Sequence, residues 1–320
     1  MYNTKIIGLG HYAPALSVSN DDLAKHIETS DEWIYSRTGI RNRHIAVDEA
    51  AHDLAAKAGQ MALDEAGIKA EDVDMIIAGT ISNQYITPSM ACLVQKILGA
   101  DQALCFDVNA ACSGFVYGLD IAEQFIKTGK YKNALVIGSE RLSQILNWED
   151  RGTCVLFGDG AGAAVIERSE MPGILGTINL SVGKDFECLY SRSFENKTPY
   201  YEGNDEHYLT MNGQVVFQFA CTKVPEVMHQ LLDEQNINIE DIDYFVLHQA
   251  NSRIIAKIAK RLKVDINKFF MNMDVYGNTS AASVPIALSE LSKKNDLTGK
   301  KVMIAGFGAG LTYGASLLQF

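Results

Sequence analysis

Basic residues are in short supply. Lys and Arg number 28 against 39 Asp and Glu in 320 residues, a formal net charge of −11. A nucleic-acid binder needs a basic footprint to displace counterions, so general nucleic-acid binding is excluded, though a local basic patch is not. No run of about 18 apolar residues occurs, which excludes a membrane-spanning helix. Six prolines and 26 glycines leave no collagen-like or proline-rich tract. The six cysteines, at 92, 105, 112, 154, 188 and 221, form no CxxC pair, and no Cys/His spacing suits zinc, so no metal site is expected. The opening stretch Met1-Tyr2-Asn3-Thr4-Lys5-Ile6-Ile7 lacks the long apolar core and cleavage site of a signal peptide. A reduced, cytoplasmic protein is expected, with most cysteines packed as small core residues.

What is present is ordinary for a globular protein, 47% hydrophobic and 21% charged. It is also written twice. Residues 62–80 (ALDEAGIKAEDVDMIIAGT) match 231–249 (LLDEQNINIEDIDYFVLHQ) at a constant offset of 169. Leu63, Asp64, Glu65, Ile68, Glu71, Asp72 and Asp74 all meet identical residues. Further on, Asn109-Ala110-Ala111-Cys112-Ser113 resembles Asn278-Thr279-Ser280-Ala281-Ala282, and 134–138 resembles 302–306. The run Phe157-Gly158-Asp159-Gly160-Ala161-Gly162 resembles Phe307-Gly308-Ala309-Gly310. One α/β fold used twice is the natural reading, with an N-terminal half at 1–170, a connecting segment at 171–214 and a C-terminal half at 215–320. Short apolar runs alternating with helical patterns place strands at 5–9, 75–79, 104–109, 134–138, 163–167, 244–248 and 301–305. Within the connection, 181–210 lacks long periodicity and leaves room for a hairpin.

Equivalent strand ends of a duplicated fold converge, so chemistry is sought there. Cys112 follows the strand-like 104–109 and precedes Phe115, Leu119, Ala122 and Ile126 at helical spacing, which puts it near a helix N-terminus. Free N–H groups there favour a thiolate and lower the thiol pKa. The same pattern also suits a buried structural cysteine. His248 closes the strand at 244–247, and a lone histidine is more often structural than catalytic. Asn278 is locally a turn residue, but by the repeat it falls at the loop equivalent to the one holding Cys112, where an amide donates to an oxyanion. Arg253, Lys257, Lys260, Arg261 and Lys263 line one side of a short helix, with Ile254, Ile255, Ile258 and Leu262 opposite. Such a charged face is usually only solvated.

The ordered motifs SDEWIYSRTGIRNRHIA (30–46), DVNAACSGF (107–115), DRGTCVLFGDGAGAAVI (150–166), HQANSRI (248–254), GNTSAASVP (277–285) and GFGAGLTYG (306–314) resemble the β-ketoacyl-acyl carrier protein synthase III family. The resemblance spans the whole chain. It implies an α/β, duplicated thiolase-like fold, two similar halves of mixed sheet and helices layered around buried central helices. It also implies a cytoplasmic homodimer that initiates type II fatty-acid synthesis.

By that resemblance Cys112 accepts a primer from acyl-coenzyme A. His248 and Asn278 then stabilise the enolate left when malonyl-acyl carrier protein loses CO₂, and attack of the enolate on acyl-Cys112 gives a β-ketoacyl product. The amides of Cys112 and Ala309 form the oxyanion hole. Ala309 stands where glycine is frequent, and a donor survives there if its φ is negative. Trp33, Arg37, Arg151 and Asn251 are implied for coenzyme A, which is a substrate; no cofactor is expected. Gln249, Ala250, Asn251, Ser252, Arg253 and Lys257 are implied for the acidic carrier protein. Thr87, Leu156 and Phe157 are implied for the acyl pocket, with the Thr87 loop reaching a partner subunit's pocket. Alternatives are a related synthase of a specialised metabolite, a thiol hydrolase and a non-catalytic acyl-binding protein.

Overall fold

A computed structural model describes residues 1–193, 195–204 and 207–320, so residues 194, 205 and 206 of the expected connecting segment lie outside it. The first half runs β1 (Asn3–Tyr12), β2 (Leu16–Ser19), α1 (Asn20–Leu23), α2 (Asp31–Thr38), β3 (Asn42–Ile45), α3 (Ala51–Ala66), β4 (Met75–Gly79), α4 (Met90–Leu98), β5 (Leu104–Val108), α5 (Gly114–Lys127), β6 (Asn133–Glu140) and β7 (Gly160–Ser169). Then follow β8 (Ile174–Ser181), β9 (Leu189–Tyr190), β10 (Thr210–Met211), α6 (Gly213–Gln235), β11 (Tyr244–Leu247), α7 (Ser252–Leu262), α8 (Met273–Tyr276), α9 (Ser283–Lys294), β12 (Lys301–Gly308) and β13 (Thr312–Gln319).

Two mixed sheets carry the repeat. The first has the order β1-β7-β6-β4-β5 and the second β11-β12-β13-β8. In both, a parallel pair (β4/β6, β11/β12) continues through two antiparallel steps. In this correspondence β8 stands where β1 stands, so the second half draws its first strand from the segment read as a connection. The expected hairpin there is the short antiparallel pair β9/β10.

All seven expected strands are present. β8, β13 and the small β2/β3 ladder were not expected. One repeat match is corrected. Phe307-Gly308 closes β12, whereas Phe157-Gly158-Asp159 leads into β7, so the two glycine runs occupy different places. Their glycines answer separate needs. A Cβ on Gly162 would stand 2.5 Å from the Ile286 amide, and one on Gly308 2.7 Å from the Cys112 amide.

The sheets face each other across α5 and α9, which share one buried cluster with residues of β4, β6, β7, β11 and β12. β4 (MIIAG) is buried throughout, as a strand covered on both faces must be, and so it reads as an unbroken apolar run. Gly118 lets α5 approach the sheet: a Cβ there would sit 3.1 Å from Val136 and 3.3 Å from Ile77. α3 covers the outer face of the first sheet, and α6 and α7 cover that of the second. Among the described residues, no helix is long and apolar enough to cross a membrane.

Candidate active site

β5 delivers the chain to a 3₁₀ turn, Ala111–Ser113, that starts α5. Ala111 takes a φ of +44°, and Thr312 ties the turn down by donating to the Ala110 carbonyl at 2.8 Å. Cys112 is buried at the centre of this turn. Its thiol is pushed up to about 12, first by burial and then by the charge of Glu140. The Ser280 hydroxyl and the Cys112 amide oppose this shift. The expected lowering is therefore corrected. At this buried position the loss of water outweighs what the start of α5 offers a thiolate.

β11 ends at Leu247 and aims His248 at the same space; its backbone N–H is held by the Ala305 carbonyl at 2.8 Å. Nδ1 lies 2.6 Å from Ser283 Oγ, which also accepts the Gln249 N–H at 3.3 Å. That hydroxyl can give its own proton to Nδ1, an arrangement that leaves Nε2 carrying the ring proton. Phe307 packs edge-on, 5.0 Å between centroids, and burial pushes the imidazole down to about 3. His248 is neutral at ordinary pH.

Asn278 sits in a second 3₁₀ turn region, built as the first is. Ser280 lies 169 positions after Ala111 and takes a φ of +49°. The Asn278 backbone bonds Leu156 O at 2.8 Å and Gly158 N at 3.0 Å. Its Oδ1 accepts the Ser280 N–H at 2.9 Å, so the amide's free donor is Nδ2. The offset also relates a second pair of contacts. Where His248 bonds Ser283, the first half has Gly79 packed on Gly114, with a Cβ on Gly79 only 2.7 Å from Gly114 backbone.

One cavity of about 290 Å³ joins these groups. Cys112, His248 and Asn278 all line it, with Leu156, Phe157 and Ala309. Ala309 is not among the residues with positive φ, which meets the condition for a backbone donor there. Trp33, Arg37 and Arg151 line the exposed side, the two guanidinium groups 4.6 and 5.1 Å from the indole centroid. Asn251 caps α7 by accepting the Arg253 N–H at 2.8 Å and donates to Arg37 O at 3.0 Å. Ala250 and Arg253 line the cavity too. Ser252 is half-buried and Lys257 exposed, both on α7, whose Ile254, Ile255, Ile258 and Leu262 are buried.

One expected site residue stands elsewhere. Gln249 is buried and cannot meet a carrier protein. Its Nε2 donates to Leu247 O at 2.7 Å and Phe270 O at 3.2 Å, and its Oε1 accepts the Asn272 N–H at 3.0 Å. Thr87 is exposed and outside the cavity of its own chain. Four residues went unassigned by sequence: Ser280, Ser283, Phe307 and Glu140. The first three lie inside motifs already singled out. Glu140 carried one weak signal, a lone acid at the end of a buried apolar run.

The sequence pattern of 3-oxoacyl-(acyl carrier protein) synthase III matches residues 106–183, and that of the family's C-terminal part matches 232–320. The chain is 47% identical to the β-ketoacyl-(acyl carrier protein) synthase III of Clostridium novyi strain NT, over the full length of both. The crystal structure of 3-oxoacyl-(acyl carrier protein) synthase III from Aquifex aeolicus VF5 superposes with a TM-score of 0.94 at 45% identity, covering 99% of this chain and 100% of that one. That from Pseudomonas aeruginosa PAO1 gives 0.93 at 37%, covering 99% and 98%. Sequence and fold agree: the chain belongs to the 3-oxoacyl-(acyl carrier protein) synthase III family of condensing enzymes, which are acyltransferases of thiolase-like fold.

Proposed function

We propose that the chain primes fatty-acid synthesis by condensing an acyl-coenzyme A primer with malonyl-acyl carrier protein through an acyl-Cys112 intermediate. The observation that carries this reading is that Cys112, His248 and Asn278, from both halves, line one cavity, with the Asn278 Nδ2 and the His248 Nε2 left without a hydrogen-bond partner among the described residues.

Cys112 Sγ attacks the primer thioester, and the backbone N–H groups of Cys112 and Ala309 hold the oxyanion. Coenzyme A leaves along Trp33, Arg37, Arg151 and Asn251. Malonyl-acyl carrier protein enters next, its acidic surface met by Arg253 and Lys257 of α7. Its thioester carbonyl takes hydrogen bonds from His248 Nε2 and Asn278 Nδ2. Loss of CO₂ places the electron pair on that carbonyl oxygen, where two neutral donors stabilise it. The enolate carbon attacks the acyl-Cys112 carbonyl and Cys112 leaves as thiolate.

A homodimer in the cytoplasm completes the proposal. β5 is an edge strand of the first sheet, and Leu104 on it, Ile97 on α4 and Ile86 in the Thr87 loop are exposed apolar residues. Pairing at that edge buries them and carries Thr87 to the partner's acyl pocket. The test is intact-mass analysis after incubation with a panel of acyl-coenzyme A thioesters, followed by malonyl-acyl carrier protein. One acyl mass added to the parent, none to Cys112→Ala, and release of CO₂ from the malonyl substrate are expected. Hydrolysis of the acyl group without CO₂ would mark a thiol hydrolase instead.

A further inference from the structure

Glu140, the last residue of β6, is wholly buried, and among the described residues no basic side chain faces it. Its Oε2 accepts from Thr80 Oγ1 at 3.2 Å, from the Ile81 N–H at 3.1 Å and from the Ser82 hydroxyl. Among the described residues its Oε1 has one partner, the Ser280 hydroxyl at 3.0 Å. The loop after β4 thus offers it two hydroxyls and an amide, and the 280–282 turn one hydroxyl. The turn of Cys112 brings the thiol close enough to feel the charge of Glu140. Arg141, its chain neighbour, sends its guanidinium to Val47 O. A buried carboxyl without a cation is costly, and structural needs alone are met more cheaply by an amide.

Ser280 is the link. Its hydroxyl donates to Glu140 Oε1, and Ser280 lines the same cavity as Cys112. It is held there by a left-handed backbone that a non-glycine residue adopts at a cost, and by the bond from its N–H to Asn278 Oδ1. His248 is badly placed to act as base, because Ser283 occupies Nδ1 and the buried ring holds a second proton poorly.

We propose that Glu140, acting through the Ser280 hydroxyl, accepts the Cys112 proton during acylation and returns it to the departing coenzyme A thiolate. This rests on the reading of Cys112 as the acylated residue. The thiol proton passes to Ser280 Oγ as the Ser280 proton passes to Glu140 Oε1, giving a thiolate and a carboxylic acid. The thiolate attacks the thioester, the acyl carbon–sulfur bond to coenzyme A breaks, and the coenzyme A thiolate leaves with that electron pair. Ser280 Oγ then gives a proton to the coenzyme A thiolate leaving beside Cys112, as the Glu140 carboxylic acid returns its proton to Ser280 and becomes the carboxylate again. Protons balance, and no oxidant or reductant enters. Burial pushes the Glu140 carboxyl up to about 7, which suits a group that must both take and give a proton near neutrality.

The experiment is single-turnover acylation by acetyl-coenzyme A, read by intact mass from pH 5.5 to 8.5, with Glu140→Gln and Ser280→Ala. Alanine is tolerated at 280, because Ala111 holds the same conformation in the first half. In the parent the rate should rise with pH through about 7, as the carboxyl ionises. Both variants should acylate about 10²-fold more slowly at pH 7.5 and lose that inflection. A merely structural role would scale the rate and keep it. Parental rates and an unchanged inflection in folded Ser280→Ala overturn the relay, whether or not Glu140→Gln folds. No adduct on the parent overturns the assignment of Cys112 itself.

Discussion

Gly308 closes on Cys112 so tightly that a Cβ on it would stand 2.7 Å from the Cys112 amide nitrogen and 2.9 Å from the Cys112 Cβ. The last residue of β12 thus forms the floor under the nucleophile. Gly308→Ala should lower stability by about 1–3 kcal/mol through overpacking and slow acylation at least about tenfold. Gly183→Ala, with nothing within 4 Å and no positive φ, is the control and should change neither. Denaturant unfolding and intact-mass acylation read both; a fully active Gly308→Ala would show that the nucleophile turn yields.

His248→Ala and Asn278→Ala should reduce malonyl decarboxylation by about 10²–10³-fold, the usual loss on removing an oxyanion donor. Acylation of Cys112 should survive in both, since the assigned task is enolate stabilisation. Stopped-flow CO₂ release beside mass-detected acylation separates the steps. A variant that lost acylation alone would have another role.

Acid should cost this protein stability through His248. Burial holds its folded pKa near 3 against 6.5 for an open imidazole. Between those values the unfolded chain takes up a proton that the folded one refuses, so stability is full above about 6.5 and falls as pH drops toward 3. Unfolding free energy should therefore fall more steeply from pH 7 to pH 4.5 in the parent than in His248→Gln. Parallel curves would contradict a buried neutral imidazole.

Arg253→Glu with Lys257→Glu should raise KM for malonyl-acyl carrier protein, and salt should do the same to the parent. Malonyl-coenzyme A should be decarboxylated almost as before. Both positions are exposed on α7, whose buried face is unaltered, so equal losses with both substrates would signal a folding fault.

Thr87→Phe should narrow the range of primers accepted. Its exposure in the single chain means that any effect on chain length requires a second subunit. Each buried methylene of a longer primer gains about 0.8 kcal/mol where space is open. The check is kcat/KM for acetyl-, butyryl-, isobutyryl- and octanoyl-coenzyme A. An unchanged profile would remove Thr87 from the pocket.

Legibility followed the range of the interactions. β4 and β6 are buried on both faces, so their own residues announce them. β13 (TYGASLLQ) and β8 (ILGTINLS) gain their identity from each other, across more than a hundred residues, and their mixed patterns hid them. Cys112, His248 and Asn278 were legible because the repeat set them at equivalent ends. The sign of the Cys112 shift was not, because it depends on burial by distant segments and on Glu140 and Ser280, which no local window contains. Gln249 misled for the same reason: its partners at Phe270 and Asn272 lie beyond the motif that suggested an exposed role.

The glycine pair at 79 and 114 settles how many reaction centres the chain can have. Duplication left two matching sockets between a strand end and a helix start. In the second, the strand and helix stand far enough apart to hold an imidazole and its hydroxyl partner. In the first, the backbones touch, and a Cβ on Gly79 already collides with Gly114. That gap was closed to seat α5 and, with it, the thiol. The matching socket was given up to build the nucleophile's bed, so no single substitution at 79 can turn this duplicated scaffold into a two-centred one.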